Sequence, residues 1–140
     1  MKNYFELNEF IQSDTATKNK IDNTPSFEVV EHLKELRDTL LNDLRDKWGS
    51  AIKITSGYRC KKLNLLVGGV SNSGHLYGYA ADIYPLNGQF NIFCQFIRKW
   101  SQDKNFDQII IEQNKQTKWI HISLFNDKMQ QRKQLFNLNL

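Results

Sequence analysis

Apolar side chains recur at helical spacing from Val30 through Leu33, Leu40, Leu44 and Trp48, with charged residues between them, and this pattern predicts one amphipathic helix. Thr24 is expected as its N-cap, Pro25 as its first helical residue, Glu28 in its first turn and Gly49 as its stop. Upstream, a short helical piece is expected around Leu7 to Ile11, followed by a polar stretch over 13–23. Downstream, residues 51–55 alternate apolar and polar and predict a strand, then a loop over 56–59 and a short helix over 61–66. The glycine-rich stretch 68–74 reads as a surface loop, and residues 80–84 as a buried strand that Pro85 helps to end. Phe93, Phe96, Ile97 and Trp100 place a core-facing stripe on a helix over 89–100.

Two runs rich in β-branched residues, 108–112 and 118–124, flank a polar connector centred on Gln116 and Thr117 and predict a hairpin. That centre sets Glu112 opposite His121 and Ile111 opposite Ile122. Ile109, Ile111, Ile120, Ile122 and Leu124 then share one apolar face, and Glu112, Trp119, His121 and Ser123 share the other. The tail from Asp127, rich in Gln, Asn and Lys, is expected to fray or to form a last amphipathic helix. The whole describes an α+β fold, an antiparallel sheet packed with helices, in a single domain over 1–140.

At 140 residues and 40% apolar composition, the chain buries a core without covalent staples. Cys60 and Cys94 form no C-x-x-C pair, so a reducing compartment of synthesis is the simpler expectation. The first residues lack a signal-peptide pattern, and no run approaches the roughly 18 apolar residues of a membrane span. Synthesis in the cytoplasm is therefore expected. Residues 1–50 carry seven Lys/Arg against ten Asp/Glu, a net of −3, whereas residues 51–140 carry twelve against five, a net of +7. Nucleic acid, an anionic wall polymer or plain solubility each fit that imbalance. No recognition helix, zinc-finger spacing or RNA-binding signature accompanies it, so no nucleic-acid partner is expected.

His75 follows a glycine-rich loop with Asp82 seven residues on, and His121 lies on the polar face of the hairpin. Two imidazoles and a carboxylate form a three-ligand set for catalytic zinc, with a fourth position left for water. Singly, each has a plainer reading: a histidine in such a loop as a surface or capping residue, an aspartate beside Ala80-Ala81 as a turn residue. Glu112 across from His121 adds a candidate general base.

These residues resemble a known family. Ser56-Gly57-Tyr58-Arg59, Leu63-Asn64, Val67-Gly68-Gly69, Ser73-Gly74-His75 with Gly78, Ala80, Ala81 and Asp82, and Trp119-Ile120-His121-Ile122-Ser123 are similar to the zinc D-Ala-D-Ala carboxypeptidase family of peptidoglycan peptidases. Phe5 to Phe10, Ser13-Asp14-Thr15-Ala16 and Ile21-Asp22-Asn23-Thr24-Pro25 resemble the N-terminal portion of its short phage and prophage members. The resemblance, which runs to about Phe125, implies the fold shared with the Hedgehog signalling domain and one zinc ion held by His75, Asp82 and His121. Many members carry an acidic residue three positions before the final histidine, where this chain has Lys118. Glu112 matches an acidic residue that other members carry on the preceding strand, and takes the base role. Arg59 matches the arginine that holds a substrate carboxylate or carbonyl, against the plainer reading of a loop clamp. Ser73 either positions substrate or orients the His75 loop, and His32 reads as incidental.

The implied activity is zinc-dependent hydrolysis of an amide in peptidoglycan stem peptides, by a monomer that acts on the bacterial wall once released, in the manner of a phage lysin. A catalytically silent, zinc-stabilised wall-binding module is the first rival, and a basic nucleic-acid-binding domain the second.

Overall fold

The computed structural model describes residues 2–140. Ser26, two residues beyond the expected cap, starts the long helix: its hydroxyl accepts from the Val29 amide at 3.2 Å. Thr24 is held instead by Asp22, whose carboxylate accepts from both its amide and its hydroxyl, and Pro25 therefore precedes the helix. Helix α2 (Phe27–Leu36) passes through a π turn at Arg37–Leu41 into α3 (Asn42–Trp48). The wider turn rotates the apolar stripe so that both Leu40 and Leu41 reach the core beside Leu33, Leu36 and Leu44. Gly49 ends the helix in the left-handed region, at φ +78°, which glycine adopts without a Cβ penalty.

The stretch 13–23 is not all coil. Ser13 caps a five-residue helix, α1 (Asp14–Lys18), by accepting from the Ala16 amide, a local bond that leaves no hydrophobic period to detect. Helix α4 spans Lys61–Leu66 and α5 spans Phe90–Trp100, both close to expectation.

Five strands, β1 (Ile52–Ser56), β2 (Ala80–Pro85), β3 (Gln108–Gln113), β4 (Lys118–Ser123) and β5 (Gln134–Asn139), form one sheet in the order β1-β2-β4-β3-β5. The first four pair antiparallel and β5 lies parallel to β3 at the edge. Ile52, Ile54, Ile83, Ile109, Ile120 and Ile122 join one core with Phe93, Ile97 and Trp100 of α5 and the leucines of α2 and α3. Period-two alternation then turns Asp82, Glu112, Trp119 and His121 to the opposite face.

The hairpin faces are as expected, but its register differs by two residues: Glu112 pairs with Trp119, and His121 with Ile110. Asn114 tightens the turn, its side-chain oxygen accepting from the Gln116 and Thr117 amides and its own amide donating to the Thr117 carbonyl. An even slip preserves which side chains share a face, so Glu112 stays diagonal to His121. The tail neither frays nor coils into a helix. Buried Asp107 accepts two bonds from the Arg132 guanidinium at 2.8 and 2.9 Å, and the Gln134 amide donates to the Asp107 carbonyl, which starts β5 alongside β3.

Candidate metal centre

His75, Asp82 and His121 come from three different places: a 3-10 turn (Gly74–Leu76), β2 and β4. Asp82 and His121 are cross-strand partners on the face opposite α2, α3 and α5. His75 is brought over them by its loop, in which the Ser73 hydroxyl accepts from the His75 amide at 3.2 Å. Asp82 Oδ1 lies 3.2 Å from His75 Nε2 and 3.1 Å from His121 Nδ1. A tetrahedral zinc with bonds of about 2.0–2.1 Å sets its ligand atoms roughly 3.3 Å apart, so this spacing accommodates the ion. His75 is 2% exposed and Asp82 8%.

The tautomer of His75 supports the same reading. Its Nδ1 lies 2.7 Å from the Gly57 carbonyl, which can only accept, so Nδ1 carries the hydrogen. Burial holds His75 below its usual pKa, against the pull of Asp82 toward the charged form, and a neutral ring therefore presents an Nε2 lone pair to Asp82 Oδ1. Burial also pushes Asp82 up, but the facing His75 and His121 outweigh it and keep the carboxyl well below the usual carboxylate range. The three ligand atoms of His75, Asp82 and His121 face one another closely enough to share one cation. The Gly57 carbonyl supplies the outer partner that a ligating imidazole requires.

Arg59 encloses the cluster from the side. Its Nη2 donates to the second oxygen of Asp82 at 3.4 Å, its Nη1 to Asn64 and its Nε to Ser56. These three bonds fix the Arg59 side chain between β1, α4 and β2. Glu112 stands on the same face, its Oε2 accepting from Trp119 Nε1 at 2.7 Å. Burial raises its pKa and the Asp82 charge adds to the rise, while His121, the Trp119 bond and Arg59 pull it back. His32 lies apart, its Nδ1 2.7 Å from the Tyr77 carbonyl and its ring stacked on Tyr79. Lys118 reaches the helix side of the sheet, over the Phe90 ring.

Three supporting residues carried no role in the sequence reading. Trp119 orients Glu112, and Asn64 accepts from Arg59 while donating to the Val70 carbonyl. Asn23 donates to the carbonyls of Ile11 and Tyr58 and accepts from the Cys60 amide, tying the N-terminal segment to the Arg59 loop. All three stand inside stretches that carry the family resemblance, which was the available signal. The bonds of Asn23 and Trp119 depend on contacts that only the folded chain creates.

A buried imidazole, a half-buried imidazole and a buried carboxylate on one face of a sheet, with a half-buried glutamate on the same face, match the donor arrangement of a metal-dependent hydrolase. The M15 peptidase family model matches residues 3–123 of the chain. The protein belongs to that family of zinc peptidases, with an α+β fold in keeping with it. No curated protein matches the chain. Among the described residues no helix is long and apolar enough to cross a membrane.

Proposed function

We propose that the protein is a zinc metallopeptidase that hydrolyses an amide bond of peptidoglycan stem peptides, at or next to a D-amino acid, as a D-Ala-D-Ala carboxypeptidase or an endolysin-type endopeptidase. The observation that carries the reading is the convergence of His75 Nε2, Asp82 Oδ1 and His121 Nδ1 at ligand spacing. These three residues hold the ion. Zinc held there would supply Lewis-acid polarisation of the scissile carbonyl and would acidify the attacking water.

Glu112 performs the proton work. Trp119 occupies Oε2, which leaves Oε1 to take the proton from the attacking water and to deliver it to the leaving amine. The raised pKa of Glu112 brings it nearer to the pH at which it must both accept and release a proton. Arg59 holds the second oxygen of Asp82 and directs its remaining donors at a substrate carbonyl or carboxylate. Ser73 holds the His75 loop in place. The basic half of the chain, net +7 over 51–140, favours encounter with anionic wall polymers, as suits a phage-type lysin released onto the wall.

The test is incubation of the zinc-loaded protein with intact sacculi, followed by mass analysis of released fragments. New amine ends identify the bond that is cut. Glu112→Gln is expected to retain zinc and to lose about 10²–10⁴-fold in turnover. Zinc binding without any released fragment, across sacculi of different cross-link chemistry, would favour the silent wall-binding module.

A further inference from the structure

Strand β1 is a sheet edge, and the bonding pattern shows which of its main-chain groups are free. The Leu86 amide donates to the Ala51 carbonyl at 3.0 Å, so Ala51/Leu86 and, two residues on, Lys53/Tyr84 are the hydrogen-bonded pairs of the β1/β2 ladder. Ile54 lies between bonded positions; its side chain faces the core and its N–H and C=O point away from β2. They point into an outer hollow of about 470 Å³, walled by Glu9, Ser13, Asp14, Arg59 and Leu63. An inner hollow of about 380 Å³ opens at Asp82, Tyr84 and Trp119 on the metal face. Lys53 and Thr55 line both hollows; taken together these make a trough over β1 whose inner part is lined by Asp82.

Lys53 is exposed and pairs with no acidic group among the described residues, although Glu9 and Asp14 line the same trough. It stands opposite Tyr84, two residues along β2 from Asp82, about 7 Å by strand rise. We propose that Lys53 is a specificity-determining residue, whose ammonium receives a carboxylate of an extended peptide lying in this trough, one to three residues from the scissile amide. The free N–H and C=O of Ile54 give such a peptide main-chain partners in the manner of an added strand. The inference rests on the peptidase reading and adds to it a residue, Lys53, that selects among its peptide substrates by charge.

The experiment uses synthetic stem peptides that are identical except that one carboxylate at a time is converted to the carboxamide. Zinc-loaded wild type is expected to lose about tenfold in kcat/KM on one of the amidated peptides, the scale of one charge-assisted hydrogen bond. Lys53→Met is expected to lose a similar factor on the free acid, mainly through KM, and to be indifferent to amidation, while Lys53→Arg restores the preference. A parallel arm measures equilibrium binding of the same peptides to zinc-loaded Glu112→Gln with and without Lys53→Met. Equal treatment of acid and amide by wild type, or an unchanged preference in Lys53→Met, overturns the role of Lys53 and leaves the peptidase reading standing. Failure of wild type to cut any peptide removes the peptidase reading, and the binding arm still decides whether Lys53 reads the carboxylate.

Discussion

Removing the metal should cost the fold a measurable share of its stability. An ion held by His75, Asp82 and His121 would join β2, β4 and the His75 loop through residues as far apart as 75 and 121, so it would bind the folded chain and have no preformed site in the unfolded one. With free zinc at 100 times its dissociation constant, linkage gives about 2.7 kcal/mol. An unfolding entropy of roughly 2.1 cal/mol/K per residue amounts to about 0.3 kcal/mol/K for this chain, so the expected rise in Tm is about 9 °C. Differential scanning fluorimetry of the chelator-treated protein, with and without added zinc, measures it. Glu112→Gln should keep the full shift, because that carboxylate is assigned to the water and not to the ion. His121→Ala should lose most of it. An equal Tm with and without zinc would refute the convergent site, and a lost shift in Glu112→Gln would make Glu112 a ligand instead of a base.

Three further outcomes follow from the same geometry. Gly57→Ala would drive a Cβ into the Phe10 backbone and displace the carbonyl that holds His75, with an expected cost of about 1–3 kcal/mol in urea unfolding and roughly 10–100-fold in zinc affinity. Because His75 has a folded pKa below its ordinary 6.5, the unfolded chain takes up the proton first. The metal-free protein should therefore lose stability as pH falls below about 6.5, and the thermal melts of His75→Gln should lack that component of the slope. Asp107→Ala removes the buried carboxylate that anchors Arg132. Since the Arg132 side chain is 41% exposed and can return to water, the expected cost is about 1–2 kcal/mol, with faster hydrogen exchange confined to β5.

Much of this architecture can be read from one period or another. The isoleucines of β3 and β4 alternate cleanly, and the stripe of α5 carries Phe93, Ile97 and Trp100 straight into the core. What escapes a periodic reading is decided by single polar atoms. Ser26 captures the helix start because its hydroxyl reaches the Val29 amide while Thr24 is occupied by Asp22. The hairpin slips by two because Asn114 closes its turn. Strand β5 is hidden by its Gln and Asn content, and it forms because Asp107 fixes Arg132 far along the chain. The same division holds at the site. Side-chain types raise His75, Asp82 and His121 as a candidate set and the family resemblance assigns them, whereas the Gly57 carbonyl and the Trp119–Glu112 bond involve partners that only folding brings near.

The position of β5 has a practical consequence. Two strands, β4 and β3, separate it from Asp82, and every side chain that touches the ligand cluster is synthesised before residue 122. The sheet thus grows away from the ligand cluster, and the β5 edge is where an affinity handle, a fluorophore or a tether to a solid support can be attached with least disturbance to that cluster.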